Sequence, residues 1–506
     1  MQEKIAQLKS PWQGKAKMFT GNAFDRIKAA KAFPNGLGEI LSFSHGGFVL
    51  SPEKTPHSAE IAVLANEAQK YFITGTRLGI PVLFLEEALH GLMVKDATVF
   101  PSALGMASAW DENLTKEVFD AIAQESRAIG THSLLAPVLD LAFDPRWGRT
   151  EETMGEDPYL VTRLGIAKVN ALQGNTDKPD SNHVAATLKH FGAHGQPEGG
   201  VNKAPVFVSE RWLREVNFKP FKAVIMEGKA LGVMPNYNEI SGIPTHADNW
   251  MLRTVLRDEW GFKGLVISDL GAVSQLMTLH HIANDSAETG AKTVNAGVDI
   301  ELTDDRAMVD YLSEGLTNGY ISIEVIDKAV LRVLEQKFLL GLFERPYINV
   351  GHTGLVGSDA HRAVALKAAR ESIVLLKNDG GVLPFDRKKY KKIAVIGPNA
   401  DKCILGGYSQ TPRITISPLA ALKEKYKDVE IVFAEGVRLT TSGENFRPTT
   451  FSPHDENLKL IQEAVTVARN ADAIVLMIGS NDVISREAVG AFSPGDLANL
   501  ELLGDQ

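Results

Sequence analysis

The chain has 506 residues, 44% hydrophobic and 23% charged, the proportions of a folded globular protein long enough for two or three cores. Lys plus Arg total 53 against 62 for Asp plus Glu, and the resulting net charge of −9 argues against nucleic acid or an anionic membrane as partner. Cys403 is the only cysteine, which excludes an intramolecular disulfide and a thiolate metal cluster.

No apolar stretch is long enough to span a bilayer. Residues 1–8 read as the inside of a helix and lack the apolar region of a secretory leader. The expectation is a missing upstream segment, with a periplasmic or secreted protein if that segment exists and a cytoplasmic one otherwise. From about residue 36 to about residue 345, short apolar runs alternate with segments of helical period. The expected strands are 38–44, 81–85, 134–139, 184–191, 230–236, 265–269 and 298–302. Between them, 111–130 reads as a helix: Leu114, Val118, Ala121 and Ile122 share one face, Asp111 can cap its start, and Gly130 ends it. So many strand–helix units in succession predict an α/β fold with a (β/α)8-like barrel over residues 1–348.

Residues 349–378 read as a linker that includes a helix over 358–377. A second α/β domain is expected over 379–506, with strands 392–396 and 473–478 and an amphipathic helix over 457–470. A sheet of so few strands would keep an unpaired edge, so the domain reads as incomplete at its C-terminus.

The run 261–271 is Gly-Phe-Lys-Gly-Leu-Val-Ile-Ser-Asp-Leu-Gly, and it delivers Asp269 to the C-terminal end of a buried strand. In barrels of this kind, chemistry sits at that end. The structural alternative is an Asp capping the next helix. Other polar clusters also follow candidate strands: Glu86-Glu87-Ala88-Leu89-His90-Gly91, Asp144-Pro145-Arg146-Trp147-Gly148-Arg149, Lys189-His190-Phe191 and Asn236-Tyr237-Asn238-Glu239. Their convergence would make a pocket rich in donors and acceptors, suited to a neutral polyhydroxylated molecule.

These segments, with Gly155-Glu156-Asp157-Pro158, Ala296-Gly297-Val298-Asp299, Leu375-Leu376-Lys377-Asn378 and Ile393-Ala394-Val395-Ile396-Gly397-Pro398, resemble glycoside hydrolase family 3 in ordered succession over nearly the whole chain. The resemblance implies a barrel-like first domain, an α/β sandwich second domain, and an active site between them. It implies that Asp269 is the nucleophile of a retaining mechanism and that Glu487, in Ser485-Arg486-Glu487-Ala488, is the acid/base. Val489 stands where an aromatic usually follows, and Leu270 where one usually follows the nucleophile; Asp482 and Glu239 are the weaker substitutes for the acid. The resemblance further implies that Glu87, Arg149, Lys189 and His190 bind sugar hydroxyls, with Arg146 the lesser arginine candidate, and that Tyr237 orients the nucleophile.

Each residue also has a structural reading. Arg146 and Arg149 could pair with Glu151, Glu152 or Asp157, and His190 could be a satisfied core histidine. His190 and His194 are four apart, a metal-ligand spacing on a helix, but here they end a strand with no acidic third ligand placed by the pattern, so no metal is expected. The Gly397-Pro398-Asn399 turn lacks a Gly-x-Gly-x-x-Gly sequence, and no cofactor is expected.

Many glucosidases of the family carry Asp where this chain has Glu87, whereas xylosidases often have Glu-Ala-Leu-His-Gly as here. The extra methylene would push the carboxylate into the space of a hexose hydroxymethyl group, so terminal β-xylosyl residues are the expected substrate, with β-glucosides the alternative. The competing class is a shortened sugar-binding protein with impaired catalysis.

Overall fold

The computed structural model describes residues 1–12, 14–21, 23–44, 55–303, 306–442, 449–488 and 495–506. Val489 lies outside them. Two compact units divide the chain: 1–144 with 152–372 and 408–413, and 145–151 with 373–407 and 414–506.

Among the described residues, the first unit is built on eight parallel strands: β1 (Lys9–Pro11), β2 (Glu39–Leu41), β3 (Leu83–Glu86), β4 (Ser133–Leu134), β5 (Ala185–Phe191), β6 (Gly232–Pro235), β7 (Leu265–Val266) and β8 (Glu301–Thr303). Strands β2 to β7 form one sheet in sequence order, and β1 pairs with β8. A bridge between Ile267 and Ile300 joins β7 to β8, and Gly38 N–H donates to the Ala6 carbonyl ahead of β1 at 2.9 Å. This is the expected barrel-like architecture. All seven residues of β5 are buried, as a strand covered on both faces requires.

Helices supply the outer layer. In α1 (Glu112–Ala128) the expected apolar face is buried, and Asp111 accepts from the backbone N–H groups of Asn113 and Leu114 at 2.8 and 3.1 Å. That bond pair satisfies two of the helix's unpaired donors.

Three segments depart from expectation. Lys9–Pro11 is a strand that follows an N-terminal helix, Gln2–Gln7. The run 134–139 pairs as a strand only at its start: Pro137 has no N–H to donate, and the ladder resumes as a single bridge between Val138 and Lys189. Within 349–378, helix α2 (Asp359–Glu371) belongs to the first unit, where His361 Nδ1 meets Glu125 at 2.8 Å and Lys367 pairs with Glu117 at 2.9 Å. The helix ends before the β-branched pair Ile373-Val374, which disfavours continuation.

The second unit holds a parallel sheet of β9 (Lys392–Ile396), β10 (Glu430–Ala434) and β11 (Ala473–Leu476), ordered β10-β9-β11. Helix α3 (His454–Arg469) packs its buried Ala464 with Ala394, Ile396 and Ala434 of the sheet. Ile474 and Leu476 of β11 remain exposed. No helix among the described residues is long and apolar enough to cross a membrane.

Candidate active site

Asp269 lies just past β7, at the C-terminal end of the strand, and is 8% exposed. It does not cap the helix that follows: Gly271 occupies the cap position of Ala272–Thr278, without a side-chain bond. Its Oδ1 instead accepts from the Leu270 N–H at 2.7 Å, and its own N–H donates to His246 Nε2 at 3.0 Å. His246 therefore presents a lone pair, and burial with the neighbouring His280 pushes its pKa down to about 3, so it is neutral. Tyr237 donates its hydroxyl to the Leu270 carbonyl at 2.9 Å. This tyrosine thus braces the backbone beside Asp269.

The end of β5 brings Lys189 and His190 to the same region, and the peptide between them is cis. Lys189 donates to Glu87 Oε2 at 2.8 Å, with both side chains nearly buried. Its ammonium also lies 5.2 Å from the centre of the Tyr408 ring. Burial raises the Glu87 pKa, Lys189 opposes that rise, and the charges of Glu152 and Asp269 add to it.

Next to it in the chain, Glu86 accepts from the N–H and hydroxyl of Ser44 at 2.8 and 3.0 Å. Burial lifts the Glu86 pKa to about 8, against the Ser44 bonds and the Lys15 charge. Of these neighbouring acids, Glu87 is the one tied to Lys189.

His190 sits between two carboxylates. Its Nδ1 is 2.7 Å from Asp140 Oδ2, its main-chain N–H donates to Asp140 Oδ1 at 3.0 Å, and its Nε2 is 3.7 Å from Asp269 Oδ2. The His194 ring is 4.7 Å away and engages Asn238 Oδ1 through Nδ1 at 2.5 Å. Asp140, His190 and His194 thus offer three buried donor atoms close together. Asp140 is the acidic third group that the sequence pattern did not place beside the two histidines; both its oxygens and both Nδ1 atoms take part in hydrogen bonds within the protein.

Gly192, at φ +130°, turns the chain beside this cluster; a Cβ there would lie 2.4 Å from Asn236 Nδ2.

In the second unit, Arg149 and Glu487 come together, with Nη1 3.4 Å from Oε1. Both side chains are largely buried, at 2% and 11% exposure. The same unit fixes this segment through Gly148 N–H, which donates to Asp496 Oδ1 at 2.9 Å, and Leu497 N–H, which donates to the Arg146 carbonyl at 2.7 Å. Asp157 is committed elsewhere, as the cap of helix Pro158–Gln173. Glu239 lies 3.5 Å from His280.

Of the residues the sequence singled out, Glu87, Lys189, His190, Tyr237 and Asp269 lie together in the first unit, and Arg149 and Glu487 lie together in the second. Asp140 was passed over, although a lone acid directly after an apolar run is the same signal that singled out Asp269. Nothing in the local sequence marks His246 or Tyr408, whose places come from distant segments.

The sequence signature of the glycosyl hydrolase family 3 N-terminal domain matches residues 1–336, and that of the family 3 C-terminal domain matches residues 373–506. The chain belongs to glycoside hydrolase family 3. A protein named beta-xylosidase from Formosa agariphila is 38% identical over 453 residues, covering 85% of this chain and 60% of its own length. The periplasmic beta-glucosidase of Salmonella typhimurium is 34% identical, covering 82% of this chain and 55% of its own. The chain thus spans a little over half the length of these relatives. Among solved structures, a β-glucosidase from Erythrobacter marinus superposes with a TM-score of 0.92 at 36% identity, over 99% of this chain and 67% of that one. A β-glucosidase from Listeria innocua in complex with glucose gives 0.82 at 30% identity, over 99% and 65%.

Proposed function

We propose that this chain acts as a retaining, exo-acting β-glycosidase that releases terminal β-D-xylosyl residues from xylo-oligosaccharides. Asp269 carries the reading: a nearly buried carboxylate at a barrel strand end, excused from helix capping and flanked by His190. Asp269 Oδ2 attacks the anomeric carbon, an ester bond to the sugar forms, and the bond to the leaving oxygen breaks. Glu487 hands its proton to that oxygen, then takes one from the water that hydrolyses the ester. Arg149 anchors the Glu487 side chain. Glu87, Lys189 and His190 bind the sugar hydroxyls.

The xylosyl preference rests on Glu87. Its carboxylate is bonded to Lys189, and its extra methylene relative to Asp would carry it toward the room a hydroxymethyl group needs. The names of the Formosa agariphila relative and of the Arabidopsis thaliana "probable beta-D-xylosidase 7" favour the same reading. The likeness to the Erythrobacter marinus structure favours the second reading, a β-glucosidase.

A panel of aryl glycosides differing only in the sugar, followed by phenol release, separates the two. Incubation with a 2-fluoro-xyloside followed by peptide mass spectrometry tests the nucleophile. One glycosyl adduct on Asp269 is expected, and an intact Asp269 peptide in a turning-over enzyme overturns the assignment.

A further inference from the structure

We infer that Asp140 is a positioning residue of the reaction, one that sets the protonation and direction of His190 beside the nucleophile. The inference rests on the proposed glycosidase reading and extends it to a residue outside the sugar pocket named above. Asp140 is 3% exposed and holds His190 at two points, the ring through Oδ2 and the main chain through Oδ1. A carboxylate can only accept, so the Nδ1 facing it carries the hydrogen. The ring is thereby locked in orientation, and Nε2 is the nitrogen directed at Asp269, 3.7 Å from Oδ2.

Two flanking carboxylates stabilise positive charge on the ring, against the burial that opposes it. An imidazolium at this place does two things. It stabilises the ionised Asp269 that must attack, and it points an Nε2–H donor toward the space where substrate meets that carboxylate. The other groups around the pair fit this division of labour. His246 is neutral and accepts from the Asp269 N–H. Lys189 is paired with Glu87, whose carboxyl feels Glu152 and Asp269. Tyr237 donates to the Leu270 carbonyl, and His194 engages Asn238. Asp140 is the acid bonded to the His190 ring on the side away from Asp269.

The informative change is Asp140→Asn. An asparagine oxygen can keep the main-chain bond to His190, while its NH2 group faces Nδ1 and drives the ring to the neutral Nε2–H tautomer. Charge is removed while the fold contact stays. The expected result is a drop in kcat/KM on an aryl xyloside of about 10–100-fold, the order by which losing the hydrogen-bond partner of a metal-bound histidine lowers activity. The acid limb of the pH profile should move to higher pH, because Asp269 ionises less readily once the neighbouring cation is gone.

Asp140→Ala should lose at least as much rate and also melt earlier. Independently of turnover, the downfield Nδ1 proton of His190 should be visible by NMR in the parent protein, absent in the His190→Gln control, and lost in Asp140→Asn. A parent-like rate and acid limb in Asp140→Asn would overturn the inference, as would a retained Nδ1 proton. A lower melting temperature with an unmoved pH profile would overturn it too, leaving Asp140 a structural acid. If the parent releases no phenol from any aryl glycoside, the glycosidase reading falls, and the NMR result still decides what Asp140 does to His190.

Discussion

Lys189 and Glu87, 102 residues apart in sequence, form a nearly buried ion pair of 2.8 Å between β5 and the end of β3, with β4 lying between those strands in the sheet. Removing one partner strands a charge where water cannot reach it. Lys189→Met is expected to destabilise the protein by about 3 kcal/mol. Combining it with Glu87→Gln should recover part of that loss, and urea unfolding of the three variants closes the cycle. Additive losses would mean that the pair does not hold the site together.

Shortening the acid tests the choice of sugar. Glu87→Asp withdraws the carboxylate by one methylene and opens room for a hydroxymethyl group. The ratio of kcat/KM for aryl glucoside over aryl xyloside should rise about tenfold, the order of discrimination one methylene provides. An unchanged ratio would place the determinant elsewhere in the pocket.

The two proposed catalytic acids should fail differently. Asp269→Gly is expected to lose on the order of 10^4-fold in kcat or more on every substrate, as removal of a nucleophile does. Glu487→Ala should spare substrates with good leaving groups and lose about 10²–10⁴-fold on poor ones. Added azide should then yield a β-glycosyl azide in the Glu487 variant. A uniform loss across leaving groups would remove Glu487 from the acid role.

At the opposite, N-terminal end of the barrel strands, Glu39 is fully buried and its pKa is pushed up to about 8 by desolvation, opposed by Ser10 and Lys337. The folded state keeps this proton, whereas the unfolded chain releases it above its ordinary value of 4.5. Stability from this group is therefore full below about pH 4.5 and declines as pH rises to about 8. Glu39→Gln should flatten that decline, by about 4 kcal/mol across the window. Denaturant midpoints at pH 5 and pH 8 provide the comparison, and parallel declines in both proteins would refute it.

Much of the first unit was legible in the sequence because the C-terminal ends of the barrel strands follow buried apolar runs directly. Asp269, Lys189 and His190 each stand at the close of an apolar run, where side-chain alternation and loop geometry leave little choice of direction. Lys9–Pro11 was not legible: a Lys-Ser-Pro triplet has no strand character of its own and becomes one by pairing with Glu301–Thr303. The same holds for His246, whose place beside Asp269 comes through the Asp269 N–H it accepts. Asp140 belongs between these cases, since its position after Leu139 was readable but its partner, 50 residues on, was not.

The division of the chain also bears on how it can be made. The polypeptide passes from one unit to the other at residues 144–145, 151–152, 372–373, 407–408 and 413–414. Neither body is therefore a contiguous stretch of message. A gene split near residue 372 would yield an N-terminal product lacking 408–413, and with it the aromatic face over Lys189. The C-terminal product would lack 145–151, including the arginine that grips Glu487. During synthesis, Arg149 must wait for 338 further residues before Glu487 is made.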